Sequence, residues 1–244
     1  MATNESKHSW MDEGFTSYID DVALNVVLKQ GKSLPNAGAY KDYFKWVATG
    51  LEEPMTTHAD RFKYNTGYGM TAYDKGSIFL SQLQYVIGKE NFDNTLKRYF
   101  NDWSFKHPKP NDFIRSAEKV SGLELDWYLL DWAQSTMTID YSINSLYGVD
   151  NKTRVVLKRI GQMGMPIDLR VELLNGEVLD YNIPMTKMRG SKPLESSTLL
   201  NSWSWAKPYY EVWLEIDSKN ISKITIDPKN EMADINRDNN YLVL

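Results

Sequence analysis

The apolar period of this chain changes once, near Thr138, and that change limits its fold more than any other feature of the sequence. Before it, apolar residues recur every three or four positions; after it, they alternate. Ile139, Tyr141 and Ile143 alternate with Asp140, Ser142 and Asn144, and Ile167, Leu169, Val171 and Leu173 alternate with Asp168, Arg170 and Glu172. A period of two sends successive side chains to opposite faces, so these runs predict half-buried strands. Tyr210, Val212, Leu214 and Ile216 repeat the pattern, with Ile224 and Ile226 beyond them. Asn175-Gly176 sits between two strand runs, and because both residues tolerate positive φ it predicts a type I′ hairpin turn. Strands at this spacing predict an antiparallel β-sandwich over residues 137–244.

Residues 1–136 predict an irregular helical bundle, which makes the chain α+β in two domains. Ser9 reads as a helix cap with Asp12 three residues on; Phe15, Tyr18, Ile19, Val22 and Val26 then follow at helical spacing, and Gly31 offers a stop. A second helix falls between Pro35 and Leu51, carrying Tyr40, Phe44 and Val47. A third places Ala72, Gly76, Phe79, Leu80, Leu83 and Ile87 on one face and ends at Gly88. Shorter helices are expected over Asn91 to Trp103, Asp112 to Val120 and Leu125 to Trp132. Between the second and third helices, the polar stretch from Glu52 to Gly69 reads as a long loop, the kind that frequently carries function.

Composition narrows the function classes. A net charge of -4 gives no broad basic surface, which argues against nucleic acid and anionic membrane as partners. There is no cysteine, so only His, Asp and Glu could hold a metal, and the redox compartment stays open. No run approaches the roughly 18 apolar residues of a membrane span, and the first seven residues lack the apolar core of a signal peptide.

Two runs could carry chemistry: Trp10-Met11-Asp12-Glu13-Gly14-Phe15-Thr16-Ser17-Tyr18, and Gly67-Tyr68-Gly69-Met70-Thr71-Ala72-Tyr73-Asp74-Lys75-Gly76. Local physics alone gives each an ordinary role. Asp12 and Glu13 suit the positive end of a helix dipole, and Tyr73 lies at the edge of an apolar stripe, as a core tyrosine does. Together, however, the runs resemble the W-x-x-E-G-F-x-x-Y and Y-x-K-G motifs of the gluzincin zinc aminopeptidases, the family of aminopeptidase N and leukotriene hydrolase. The resemblance continues through Ile87-Gly88-Lys89-Glu90-Asn91-Phe92, Tyr99-Phe100 and Ser121 to Trp127, covering roughly residues 9 to 134.

The resemblance implies that residues 1–136 form the C-terminal half of a thermolysin-like catalytic domain. It implies that Glu13 is a protein ligand of a catalytic zinc, that Tyr73 gives a hydrogen bond to the oxyanion of the tetrahedral intermediate, and that Tyr68 lines the substrate pocket. The substrate class would be peptides, losing N-terminal residues to a metal-activated water. The family's H-E-x-x-H segment and Gly-rich exopeptidase segment are absent from these residues. The histidines, His8, His58 and His107, are not spaced by four and read as loop or solvent-facing residues. The expectation is a C-terminal fragment of a longer zinc metallo-aminopeptidase, without activity or bound zinc of its own, whose partner is the N-terminal remainder of the parent. A glycyl-aminopeptidase-type gluzincin, and a non-enzymatic protein- or glycan-binding module, stay open as alternatives. By analogy with cell-envelope relatives the compartment points to export, without deciding against the cytoplasm.

Two further signals are minor. Asp234-Ile235-Asn236-Arg237-Asp238 has the oxygen-ligand spacing of a calcium loop but lacks the expected glycine, and reads as a polar loop. Trp203, Trp205, Tyr209 and Tyr210 could form a binding platform or an ordinary aromatic contact.

Overall fold

The computed structural model describes residues 1–244, which divide into two compact units, Met1–Thr136 and Met137–Leu244. The first unit is helical: α1 (Ser9–Val27), α2 (Ala37–Ala48), α3 (Asn65–Gly69), α4 (Gly76–Ile87), α5 (Lys89–Trp103), α6 (Pro110–Ser121) and α7 (Asp126–Ala133). A six-residue π-helical segment, Met70–Lys75, joins α3 to α4. The stretch expected to be loop from Glu52 to Gly69 therefore ends earlier: a short 3₁₀ turn occupies Ala59–Arg61 and helix resumes at Asn65. Gly67 and Gly69 obscure that start, because glycine weakens any helical reading of sequence.

The buried face of α1 is rotated from the stripe its periodicity suggests, sharing with it Tyr18 and Phe15, which packs on Phe113. Trp10, Met11, Gly14 and Tyr18 face inward, whereas Ile19 and Val26 are exposed. Ser9 lies inside the helix, His8 takes the cap position, and the helix stops at Val27 rather than near Gly31. α4 is buried almost all round, from Gly76 to Ile87. Gly88, at φ +84°, ends α4 and begins α5 in a single residue, a conformation that glycine adopts without steric cost. At α6, Pro110 occupies the first helical turn and the Asp112 carboxylate accepts the Lys109 backbone N–H at 2.8 Å.

Aromatic rings fill the core of this unit. Trp10 meets Phe79 at 4.8 Å, Phe79 meets Tyr128 at 5.0 Å, and Phe113 takes the edges of Phe15 at 4.8 Å and Tyr99 at 5.0 Å. Each such pair adds about 0.5–1.5 kcal/mol beyond its buried area. The Tyr128 hydroxyl donates to the Phe79 carbonyl at 2.6 Å, which satisfies its one buried polar atom.

The second unit holds eight strands: β1 (Tyr141–Val149), β2 (Lys152–Arg159), β3 (Ile167–Leu173), β4 (Val178–Ile183), β5 (Thr198–Leu199), β6 (Tyr209–Leu214), β7 (Ile221–Ile226) and β8 (Tyr241–Val243). They form a three-stranded sheet in the order β1-β2-β6 and a five-stranded sheet in the order β5-β4-β3-β7-β8. The second sheet is mixed, since β5 pairs parallel with β4. Val155, Leu157, Ile167, Leu169, Val171, Ile183, Ile224 and Ile226 are buried. The β3–β4 turn departs from type I′: only Gly176 has positive φ, and its N–H donates to the Leu173 carbonyl at 3.0 Å while Asn175 stays at negative φ. That is the arrangement of a turn followed by a glycine bulge.

Asp234 is fully buried, with its carboxylate accepting the Tyr141 and Asn236 N–H groups at 2.9 Å each. Those oxygens organise the backbone of the strand-rich unit. Trp203 is buried, stacked on Tyr210 at 5.3 Å, whereas Trp205 and Tyr209 stand exposed, so the four aromatics do not make one platform.

Candidate active site

The two motif runs meet where α1 crosses the start of α4. A Cβ on Gly14 would lie 2.5 Å from the Cα of Gly76, and one on Gly76 would lie 2.8 Å from the Cα of Gly14. Backbone touches backbone here, so each motif contributes the glycine that lets the other approach. Glu13 immediately precedes Gly14, and Tyr73 comes three residues before Gly76. The close approach therefore brings together two side chains sixty positions apart in sequence.

A hydrogen bond to the half-buried Glu13 carboxylate, with added effects of burial and of that carboxylate's charge, pushes the Tyr73 phenol up to about 12. Like an unperturbed tyrosine, the phenol keeps its proton at physiological pH and remains a donor. Tyr73 is 39% exposed, so it lines an open surface rather than the core. Tyr68 packs edge-on against it at 6.3 Å and is itself flanked by Phe62 at 5.6 Å. Burial raises the Tyr68 phenol, and the charges of Glu13 and Asp12 raise it further. The structure thus places all three residues, Glu13, Tyr73 and Tyr68, around one patch.

Three supporting features escaped the sequence reading. The π-helical segment is one, and the Gly14–Gly76 contact is another, although each glycine stood inside its motif as a signal. The third is Lys75. Its ammonium is 1% exposed and lies 2.5 Å from Glu52 Oε1, whose side chain is 5% exposed, and it donates to the Ser135 carbonyl at 3.3 Å. Burial pushes Lys75 down and Glu52 up, and the attraction between them opposes both shifts. A lysine within the apolar face from Ala72 to Ile87 was the available signal; Glu52 had none. Next to Tyr73, burial together with the charges of Asp42 and Asp21 lifts Asp74 to about 6.

No group of three or more His, Cys, Asp or Glu side chains is arranged to hold a metal ion. His58 accepts the Asp60 N–H at 3.3 Å, the His107 ring meets the Ala2 carbonyl at 2.9 Å, and burial lowers His8. Glu13 can supply one oxygen ligand; a zinc site needs at least two more protein donors.

The helical unit thus presents a Glu and a Tyr from the two motifs on one patch, and a strand-rich unit follows it in sequence. Residues 2–132 match the Peptidase family M1 domain. The chain belongs to that family, the gluzincin aminopeptidases. Among its relatives, leucine aminopeptidase 2 of Neurospora crassa is 25% identical over 147 residues, covering 52% of this chain and 21% of the relative. Human aminopeptidase B is 27% identical over 141 residues, covering 49% of this chain and 21% of the relative. The fold also resembles a solved structure, Legionella pneumophila aminopeptidase A in complex with aspartic acid, with a TM-score of 0.55 and 15% identity over 96% of this chain and 24% of that one. The chain spans about a fifth of the length of the relatives it matches. No helix is long and apolar enough to cross a membrane.

Proposed function

We propose that this chain carries part of the active site of a zinc metallo-aminopeptidase that removes N-terminal residues from peptides, with Glu13 as one metal ligand and Tyr73 as the transition-state hydrogen-bond donor. The observation that carries the reading is the backbone contact of Gly14 with Gly76, which brings the Glu13 carboxylate of one motif close enough to the Tyr73 phenol of the other to raise its pKa. Membership of the M1 family supports it, as does the small share of its relatives that the chain spans. The remaining ligands, the general base and the grip on the substrate's amino group belong to residues outside these 244, so the N-terminal remainder of the parent is the necessary partner.

Within this chain the proposed roles are as follows. Tyr73 keeps its proton at the phenol oxygen and offers it to an oxyanion, an interaction that matters only as charge develops. Tyr68 buttresses the ring and forms a wall beside it. Gly14 and Gly76 set the separation of carboxylate and phenol. The test is hydrolysis of aminoacyl amides with added zinc: the 244-residue chain alone should give no turnover, while the longer protein should give turnover that a chelator abolishes. Zinc-dependent turnover by the 244-residue chain would overturn the fragment reading, and its absence from the longer protein would overturn the peptidase reading.

A further inference from the structure

Lys75 and Glu52 have no part in the chemistry proposed above, yet they are the most costly residues to bury near it. An ammonium and a carboxylate taken out of water each lose several kcal/mol of solvation, and their attraction does not reliably exceed that loss. Apolar residues of the same volume would hold the helices at least as well. What such a pair adds is direction, because a buried charge must sit where its partners are.

The placement here is specific. Lys75 is the last residue of the π-helical segment Met70–Lys75, and Tyr73 stands two positions before it. In an α turn or in the wider π turn, two positions carry a side chain roughly half way round the helix. Drawing Lys75 inward, to Glu52 beyond the end of α2 and to the Ser135 carbonyl beyond α7, therefore turns Tyr73 outward. The Tyr43 ring lies 6.0 Å from the ammonium and closes the remaining side. A π segment is wound more loosely than the α-helices on either side, so its rotational setting needs an external fix.

We propose that the buried Lys75–Glu52 ion pair is a positioning device for Tyr73: it fixes the rotation of the Met70–Lys75 segment so that the phenol meets the Glu13 carboxylate. Gly14 and Gly76 set how closely the two helices approach; Lys75 and Glu52 set which way the tyrosine points. The catalytic value of this arrangement rests on the reading of Tyr73 as the oxyanion donor, but the positioning itself does not.

The experiment places 3-fluorotyrosine at position 73 and records its ¹⁹F signal in the 244-residue chain. Glu13→Ala supplies the reference shift for a phenol without its carboxylate partner. The double variant Lys75→Met with Glu52→Leu removes the charges at similar volume, and its signal should move most of the way toward that reference while melting stays cooperative. A signal left at the wild-type position in a folded double variant would overturn the proposal, because a purely structural pair would change the melting temperature and leave position 73 alone. If the double variant does not fold, Glu52→Gln decides: partial movement supports the device and no movement overturns it. In the zinc-loaded longer protein the double variant should lower kcat by on the order of 10- to 10²-fold at unchanged KM. Absence of wild-type turnover would instead count against the peptidase reading and leave the ¹⁹F result standing.

Discussion

The Glu13 carboxylate beside Tyr73 helps raise its phenol to about 12, and the role proposed for that phenol is testable. In the longer protein proposed to be active, Tyr73→Phe should lower kcat about 10²- to 10³-fold if the phenol is the proposed oxyanion donor, with zinc content by atomic absorption unchanged. A second prediction concerns Asp227, buried at the end of β7, which burial lifts from 3.8 to about 7 despite accepting the Glu231 and Met232 N–H groups. Between those pH values the folded protein holds a proton that the unfolded chain has released. Stability from this group is therefore greatest below about pH 4, falls as pH rises toward 7 and levels off above it. Urea denaturation of wild type and Asp227→Asn at pH 5 and pH 8 checks it: the wild type should lose more stability than the variant on going to pH 8. At this scale the sequence spoke clearly for Glu13 and Tyr73, because each stands in a motif. It was silent on Glu52, whose partner is 23 positions away and whose surroundings have no period.

Elements show where periodicity misleads. The stripe on α1 includes Ile19 and Val26, which are exposed, while the buried face runs through Gly14, a residue that adds nothing to an apolar count. Strand β2 left no alternating signal, since Val155, Val156 and Leu157 are buried in succession. The β3 and β7 runs were legible because one face of each is consistently covered, and Asn175-Gly176 gave the hairpin though not its turn type. The π-helical segment could not be read at all, as one extra residue in a helical turn leaves no mark on composition. Its contact with α1 predicts that Gly76→Ala, whose Cβ would meet Gly14 Cα at 2.8 Å and the Trp10 carbonyl at 3.2 Å, forces the helices apart. The expected loss is about 1–3 kcal/mol by chemical denaturation, with the position-73 ¹⁹F signal displaced as well. Gly69→Ala, which meets nothing within 4 Å, is the control and should show neither effect.

At the scale of the whole molecule, the change of period near Thr138 and the division into Met1–Thr136 and Met137–Leu244 are one fact seen in sequence and in structure. Each unit has its own buried core, aromatic in the first and aliphatic in the second. The family match ends at residue 132, inside the helical unit, where both motifs lie. No group of three or more His, Asp or Glu side chains is arranged to hold a metal ion; as proposed, Glu13 is one member of a ligand set completed by residues outside these 244. The most direct test is zinc stoichiometry in the longer protein, wild type against Glu13→Ala, both shown to be folded. Close to one zinc per wild-type chain and strong loss in the variant are expected; equal zinc in the two would show that Glu13 is not a ligand.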